Sequence, residues 1–328
     1  MRTQALGLGY YLPERILTNQ ELEKMVDTSD QWIVERTGIR ERHIVGPGEK
    51  NSDLSVEAAR RALQDAKLDP LQLDLIIVAT ASPDMPFPST ACILQALLGA
   101  KNAAAFDLAA GCTGFVYAMT VAEKFLLSPD YNYILVVGCD VVSSVIDYTD
   151  RNTCILFGDG AGAMVFGKSE GKCGILSTKI GADGTGGQLL YMPAGGSALP
   201  ATHETVEKRL HYLRMNGNEI FKFATKIVAE VSQELLEKAG LTYDDIDLFV
   251  PHQANLRIIL SAMRRMKLPP EKVAINLDHC GNISAGSIPV ALAQYLEKYS
   301  LKSGANILMV AFGTGLTYGG AVLRWGRD

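Results

Sequence analysis

Several common structural devices are missing from the sequence. Its six cysteines stand at positions 92, 112, 139, 154, 173 and 280, none in a C-x-x-C pair and several in apolar runs. We therefore expect a reducing compartment, with neither structural disulfides nor a zinc site. The sequence has no phosphate-binding lysine motif and no metal-ligating cluster of histidine, cysteine and aspartate. The net charge of −5 argues against a nucleic-acid-binding protein.

Signals for export or membrane insertion are also weak. Residues 1–16 lack the long apolar core of a signal peptide. Residues 306–323 carry no charge, which meets the length of a membrane span. Their glycines and strand-like halves instead predict two buried strands around a tight turn. We therefore expect a soluble, cytoplasmic protein with no membrane partner.

Two glycine-rich segments, residues 7–16 and 158–163, superficially resemble nucleotide-binding loops. Neither contains a complete G-x-G-x-x-G followed by an acidic residue about 20 positions later, so we expect no nicotinamide cofactor. We interpret both segments as tight turns between packed strands. Residues 193–213, first rich in proline and glycine and then charged, predict a surface loop leading to a helix.

The clearest feature of the sequence is an internal duplication. A single shift of 173 residues superimposes three pairs of segments: 62–78 on 235–251, 112–124 on 285–297, and 133–140 on 306–313. A shift of 159 residues adds a fourth pair, 160–167 on 319–326. Several matches in one register rarely arise by chance. We therefore predict two halves, residues 1–172 and 173–328, with the same order of helices and strands.

The apolar runs of each half predict its architecture. LDLIIVATA at residues 73–81 and YILVVGC at residues 133–139 are continuously apolar, as in strands that are covered on both faces. Helical patterns lie between the strands, so the predicted fold is a layered α/β fold. Two halves related by a pseudo-twofold axis would bring equivalent helix starts together between them, where ligand pockets often form.

The segment DLAAGCTGF places Cys112 in a glycine-flanked turn just before an apolar helical pattern. Unpaired N–H groups and the helix dipole at such a start stabilise an anion, which lowers the pKa of a thiol from its free value of about 8.5. The position thus favours Cys112 as a nucleophile. The alternative is that this cysteine fills the core as a small apolar side chain.

Two polar sites interrupt apolar sequence in the second half. His252 ends a buried strand in LFVPHQAN, and Asn282 precedes a helix start in GNISAGSIP. A thiolate attacks an acyl thioester, while a neutral imidazole and a carboxamide donate hydrogen bonds to a carbonyl where an enolate forms. No acidic residue appears in the three loops, which suits a carbanion from decarboxylation better than hydrolysis. A lone histidine at a strand end can also be structural.

Taken together, the motifs resemble one family over nearly the whole chain. They are GCTGF, HQAN, GNISAGSIP, FGTGLTYGGA, GDGAGA, RMNGNEIFK and DTSDQWIVERTGIRERH at residues 27–43. This combination looks like beta-ketoacyl-acyl-carrier-protein synthase III, the initiating condensing enzyme of type II fatty acid synthesis within the thiolase-like superfamily. The resemblance implies a duplicated, five-layered αβαβα fold and a homodimer.

The resemblance also implies a two-part reaction at Cys112. An acyl-CoA would acylate the thiol, and a carbanion formed from malonyl carrier protein by loss of CO2 would then attack the acyl-enzyme. His252 and Asn282 would hold the malonyl thioester carbonyl. The backbone N–H groups of Cys112 and Thr314 would form the acyl oxyanion hole. The CoA thioester is then a substrate, and no tightly bound cofactor or metal is implied.

Further positions carry over from the same family. Asn255 would order the pantetheine arm or a water molecule, and Phe87 would reach across the dimer to close the acyl pocket of the partner. Besides Asn255, four residues would bind CoA, the last three of them around its adenine: Thr28, Trp32, Arg36 and Arg151. Stacking and cation–π attraction give a physical reason for a tryptophan beside two arginines. The alternative for this group is a helix with a solvated, charged face.

A basic helix face follows His252 in the sequence. The basic residues on and before this helix are Lys222, Arg257, Arg264, Arg265 and Lys267. On an acidic protein, such a face suits the docking of an acidic carrier protein. The alternative is a solvated helix face that has no partner.

Other members of the superfamily fit the sequence less well. A degradative thiolase needs a second cysteine in the C-terminal glycine turn, where residues 312–315 contain none. Elongating synthases have a second histidine where this chain has Asn282. Two alternatives stay open: a related condensing enzyme or acyltransferase of secondary metabolism, and a non-catalytic homologue in which Cys112 is merely buried.

Overall fold

Strands and helices alternate along residues 2–327, which the computed structural model describes. The strands are β1 (Arg2–Tyr11), β2 (Ile16–Thr18), β3 (Glu41–His43), β4 (Leu75–Ala79), β5 (Ala104–Leu108), β6 (Tyr133–Val141), β7 (Asp159–Ser169), β8 (Gly174–Ala182), β9 (Leu190–Tyr191), β10 (Arg214–Met215), β11 (Leu248–Pro251), β12 (Asn306–Gly313) and β13 (Thr317–Arg324).

The α-helices include four short ones of four or five residues. They are α1 (Asn19–Leu22), α2 (Asp30–Thr37), α3 (Asn51–Ala66), α4 (Thr90–Leu98), α5 (Gly114–Leu126), α6 (Arg151–Cys154), α7 (His203–Glu207), α8 (Gly217–Ala239), α9 (Leu256–Met266), α10 (Leu277–Cys280) and α11 (Ser287–Lys298). Two 3₁₀ turns matter for the site because they immediately precede α5 and α11: Gly111–Thr113 and Ser284–Gly286.

Two larger sheets contain most of the strands. The first has the order β1-β7-β6-β4-β5, in which β4 runs parallel to β5 and β6 while β7 runs antiparallel to β6 and β1. The second has the order β11-β12-β13-β8, with β11 parallel to β12 and the other pairs antiparallel. The strands of the two sheets fall on either side of the boundary predicted at residues 172 and 173, and that division stays a prediction.

The second sheet has the same arrangement as the first, but one edge strand is reduced to a single bridge. In the place that β5 occupies beside β4, only a single parallel bridge joins Phe249 of β11 to Val273. A 3₁₀ turn, Pro270–Lys272, immediately precedes this bridge. Because proline has no backbone N–H to donate, this segment is poorly suited to a full strand.

Helices and sheets stack in five layers. The side chains of Ile76 and Val78 in β4 pack with α3 and α4, whereas Ile77 faces the central helices α5 and α11. In the second sheet, Val310 of β12 packs with α8 and α9, and Met309 faces the same central helices. This alternation follows from the two faces of a strand. It confirms the predicted layered αβαβα fold.

The glycine-rich segments were predicted to be tight turns, and this prediction is wrong. Gly9 lies inside β1 and Gly162 inside β7. A Cβ atom on Gly9 would lie 2.4 Å from the backbone nitrogen of Ala62 in α3, and one on Gly162 would lie 2.6 Å from Cγ of Pro289 in α11. These glycines therefore allow helices to pack closely on the strands.

The uncharged C-terminal segment forms the predicted pair of strands. Residues 306–323 lie in β12 and β13, which pair antiparallel around the turn at residues 314–316. Among residues 2–327, no helix has both the length and the apolar character needed to cross a membrane.

Gly138 of β6 provides a test of this packing. A Cβ atom there would lie 2.3 Å from the carbonyl oxygen of Ala285, a backbone atom that cannot move aside cheaply. We expect Gly138→Ala to lower the free energy of unfolding by about 1–3 kcal/mol, measured by urea denaturation. Gly184→Ala is the control because its Cβ would meet nothing within 4 Å. Equal stability of the two variants would contradict this view of the central packing.

Candidate active site

The starts of the two central helices have the same backbone shape. Gly111 has a φ of +51°, and Ser284, which lies 173 residues later, has a φ of +48°. Each residue opens a 3₁₀ turn that continues into α5 or α11. The predicted duplication therefore extends to this detail, and Cys112 lies within the first of the two turns.

Cys112 lies where two cavities meet. The first, of about 120 Å³, is lined by His252, Asn255 and Asn282 and extends to the exposed Gly217. The second, of about 220 Å³, is lined by apolar residues such as Ala81, Val142, Val145, Met192 and Leu213, together with the polar side chains of Ser82, Asp140, Ser284 and Thr314. Both linings are mostly apolar, and the thiol lies between a cavity that contains an imidazole and two carboxamides and a cavity that contains a carboxylate.

The pKa of the Cys112 thiol departs from the prediction. Burial, with a smaller contribution from the nearby charge of Asp140, raises it to about 12, although the Ser284 side chain lowers it. The expectation of a lowered thiol pKa is therefore wrong for the unloaded site. A helix start stabilises an anion, but a thiolate here would be almost fully desolvated, and that cost is larger.

His252 follows the end of β11 and is also neutral. Its backbone N–H donates to the carbonyl of Val310 (2.8 Å), and its ring packs edge-on against Phe312 with centroids 5.3 Å apart. Nδ1 is buried and has no hydrogen-bond partner among residues 2–327. Burial lowers the pKa of His252 to about 3. The imidazole can therefore donate a hydrogen bond but carries no charge at neutral pH.

Backbone and side-chain contacts hold Asn282 in one orientation. Its N–H donates to Leu156 (2.9 Å), and its carbonyl accepts from Gly158 (3.0 Å). The side-chain Oδ1 accepts from the N–H of Ser284 (2.9 Å). Since the oxygen is occupied, the amide NH2 is the group that remains to donate toward the cavity.

The C-terminal glycine turn packs directly on Cys112. A Cβ on Gly313 would lie 2.8 Å from the Cys112 nitrogen. The Thr317 hydroxyl donates to the carbonyls of Ala110 (3.1 Å) and Thr314 (2.8 Å), which ties the two segments together. Positive φ in this turn belongs to Gly315, at +133°. A backbone N–H in the first turn of a helix, such as that of Cys112, has no intrahelical acceptor.

The three predicted adenine-binding residues lie together. The guanidinium carbons of Arg36 and Arg151 are 5.6 Å and 5.0 Å from the ring centroid of Trp32. Both distances are within the cation–π range. Arg151 also donates to the carbonyl of Asp27 (2.8 Å). The Oγ1 atom of Thr28 is buried without a partner in the described part of the chain.

Asn255 has a structural function in addition to its place in the cavity wall. Its Oδ1 accepts from the N–H of Arg257 (2.9 Å) at the start of α9, and its Nδ2 donates to the carbonyl of Arg36 (3.0 Å). The residue therefore caps α9 and joins it to α2. This capping role was not predicted from the sequence.

The remaining predicted residues lie on the surface. Arg257, Arg264 and Arg265 are exposed on α9. Lys222 of α8 pairs with Glu219 (2.7 Å), and Arg257 lies 5.4 Å from the ring centroid of Phe221, which lines the first cavity. Phe87 is 84% exposed in the single chain.

Asp140 is a site residue that was not predicted. It is buried at the second-last position of β6, and its Oδ1 accepts from the N–H of Ala81 (2.7 Å) and from the hydroxyl of Ser82 (2.9 Å). Its Oδ2 accepts from the N–H of Ala285 (3.2 Å) in the other half. An aspartate at the end of an apolar run is the same signal that identified His252.

The predicted surface segment also covers the site. Its exposed middle contains α7, as expected, but Leu213 at its end and Met192 just before it line the apolar cavity. Arg209 donates two hydrogen bonds to Asp147 (2.9 and 2.5 Å), which fixes the segment to the first half. No group of three or more metal-ligating side chains occurs in residues 2–327.

Comparison with known proteins places this site in a family. Sequence models of 3-oxoacyl-[acyl-carrier-protein] synthase III match residues 106–184, and its C-terminal part matches residues 236–325. A beta-ketoacyl-[acyl-carrier-protein] synthase III of Syntrophomonas wolfei is 64% identical, covering 100% of this chain and 99% of the relative. One of Caldanaerobacter subterraneus is 57% identical, covering 98% and 97%. The crystal structure of 3-oxoacyl-[acyl-carrier-protein] synthase III from Aquifex aeolicus superposes with a TM-score of 0.91 at 45% identity, covering 98% of this chain and 100% of that one.

The fold and the site define a thiolase-like condensing enzyme, an acyltransferase. The chain belongs to the beta-ketoacyl-[acyl-carrier-protein] synthase III family. The resemblance seen in the sequence is thereby confirmed, and with it the condensation that initiates fatty acid synthesis. A non-catalytic homologue and an enzyme of secondary metabolism are not favoured by these relatives.

The buried imidazole predicts how stability depends on pH. Because the pKa of His252 falls from 6.5 to about 3 on folding, the unfolded chain binds a proton that the folded chain does not between these pH values. Stability from this group is therefore complete above pH 6.5 and decreases as the pH falls. Between pH 7 and 5, wild type should lose about 2 kcal/mol more than His252→Gln in urea unfolding. Parallel losses would contradict a neutral, buried His252.

Proposed function

We propose that the chain condenses an acyl-CoA primer with malonyl carrier protein through an acyl-Cys112 intermediate. The observation that carries this proposal is the position of the Cys112 thiol where a cavity that contains the His252 and Asn282 side chains meets a second, mostly apolar cavity. The products are a 3-oxoacyl carrier protein, CO2 and free CoA. This assignment of roles rests on the geometry and on the names of the relatives.

In the first half-reaction, the acyl group moves from CoA to Cys112. The sulfur attacks the thioester carbonyl, the C–S bond to CoA breaks, and the proton of the thiol leaves with CoA. The N–H groups of Cys112 and Thr314 stabilise the tetrahedral oxyanion, and the acyl chain enters the apolar cavity. Thr28, Trp32, Arg36 and Arg151 bind the nucleotide end of CoA. Because both arginines already lie beside the Trp32 ring, an adenine stacking there displaces one of them.

In the second half-reaction, the malonyl group on the arm of the carrier protein enters the cavity that contains His252 and Asn282. His252 and the NH2 group of Asn282 donate to its thioester carbonyl, so that loss of CO2 leaves an enolate held by two hydrogen bonds. The enolate carbon attacks the acyl carbonyl and expels the Cys112 thiolate, which regains a proton. Two neutral donors suit this step because negative charge develops on the thioester oxygen only as CO2 leaves. Asn255 supports the pantetheine arm through its position in the cavity wall.

The active form that we propose is a cytoplasmic homodimer that needs no metal or tightly bound cofactor. Phe87 supports the dimer because so exposed an apolar ring is costly in water. Edge strand β5, which pairs only with β4, supplies unpaired backbone groups on the same half. In the dimer, Phe87 closes the acyl cavity of the partner.

Separate assays of the two half-reactions test the proposed roles. We expect Cys112→Ala to lose at least about 10³-fold in condensation yet still decarboxylate malonyl carrier protein, because His252 and Asn282 are unchanged. Asn282→Ala should keep acyl transfer to Cys112 and lose decarboxylation. Cys154→Ala, which removes a buried thiol that lines neither cavity, is the control. Full condensation by Cys112→Ala would overturn the proposal.

The exposed arginines of α9 give a second test. We propose that Arg257, Arg264 and Arg265, with Lys222, dock the acidic carrier protein. Arg257→Glu combined with Arg264→Glu should raise KM for malonyl carrier protein about tenfold or more and spare KM for acyl-CoA, with an effect that weakens at high salt. Lys226→Glu, a reversal on α8 where the side chain is also exposed, is the matched control. Equal effects on both substrates would discard the docking face.

A further inference from the structure

Ser284 adopts a backbone conformation that is unfavourable for its residue type. Its φ of +48° lies in the left-handed region, where residues other than glycine, asparagine and aspartate are uncommon. The equivalent residue of the first half, Gly111, has the same conformation at +51° without that penalty. A glycine would therefore satisfy the backbone at position 284, and the retained side chain calls for a reason other than folding.

The surroundings of Ser284 supply that reason. The residue is buried and lines the apolar cavity together with Cys112. Its N–H donates to Oδ1 of Asn282 (2.9 Å), and its side chain lowers the pKa of the Cys112 thiol, which lines the same cavity. The same residue thus acts on both the thiol and the carboxamide of the proposed reaction.

We propose that Ser284 is a further catalytic residue, whose hydroxyl donates a hydrogen bond to the Cys112 sulfur and stabilises the thiolate that attacks the acyl thioester. This inference rests on the proposed function, in which Cys112 is the nucleophile. The backbone N–H of Ser284 has a separate role, since it orients Asn282 and is kept in any substitution other than proline.

The titratable side chains near the sulfur do not supply this stabilisation. The titratable side chains that line the two cavities besides Cys112 are Asp140, Tyr191 and His252. The Asp140 charge opposes a thiolate, and His252 is buried without a charge of its own. A thiolate formed in so dry a place is stabilised by donors alone, and a hydrogen bond to a charged group is stronger than one between neutral groups.

Alkylation of Cys112 by iodoacetamide at pH 7 to 10 tests the proposal. The rate is followed on the peptide that contains Cys112, because the exposed Cys92 is expected to react with iodoacetamide as well. We expect Ser284→Ala and Ser284→Gly both to slow alkylation about tenfold at each pH, the effect of losing one hydrogen bond to a charged group.

Two controls separate the hydroxyl from the backbone. Ser284→Gly relieves the positive φ, so its melting temperature should equal or exceed that of wild type, and slow alkylation cannot then be attributed to misfolding. Ser287→Ala removes a nearby buried hydroxyl that has no hydrogen-bond partner in the described residues, and should alkylate at the wild-type rate.

The outcomes distinguish this inference from the proposed function. If Cys112 of wild type does not react at all, the proposed function fails. If it reacts and the two Ser284 variants match wild type, the inference fails while the proposed function stands. Slowing in Ser284→Ala alone would assign the effect to an altered backbone and would also overturn the inference.

Discussion

The close approach of two helix-start turns at the centre of the molecule is the constraint on which the site depends. The turns Gly111–Thr113 and Ser284–Gly286 come from different halves and meet between the two sheets. Contact this close needs positions without side chains: a Cβ on Gly114 would lie 2.9 Å from the Cβ of Ala79, and one on Gly286 only 3.1 Å from the carbonyl oxygen of Gly160. The packing that stabilises the fold is therefore also what brings the thiol beside residues of the other half.

Burial at this junction sets the charge state of the reacting groups. It raises the pKa of Cys112 to about 12 and lowers that of His252 to about 3, so both are neutral at physiological pH before substrate binds. A neutral thiol and a neutral imidazole carry no charge that would have to be desolvated. It also leaves the imidazole as a hydrogen-bond donor rather than an acid, which is what a developing enolate requires. The corresponding cost is that the neutral Cys112 thiol is a weak nucleophile, so the hydrogen-bond donors around its sulfur become important.

Local patterns predicted the fold and the residues that line the site. Apolar runs and one shared register predicted the duplicated strands, because each signal depends only on neighbouring residues. His252 and Asn282 were identifiable because each interrupts an apolar segment. Properties that depend on tertiary packing were not predictable: burial raises the thiol pKa, and the glycines of β1 and β7 allow helices to pack closely on these strands. Asp140 carries the same signal as His252, because it is a polar residue in an apolar run.

The two helix-start turns have the same backbone conformation but different surroundings. One pair of equivalent residues accounts for the difference. The 173-residue shift that relates Cys112 to Ala285 also relates Asp140 to Gly313. In the second turn, the N–H of Ala285 is occupied by the Asp140 carboxylate (3.2 Å). In the first turn, the residue against the Cys112 nitrogen is Gly313, which has no side chain to accept a hydrogen bond. Within the described residues, the Cys112 N–H therefore faces no carboxylate and can serve the proposed oxyanion hole, whereas a cysteine at position 285 would lack that donor. The duplication supplied two equivalent helix starts, and the exchange of an aspartate for a glycine left one of them as the proposed site of reaction.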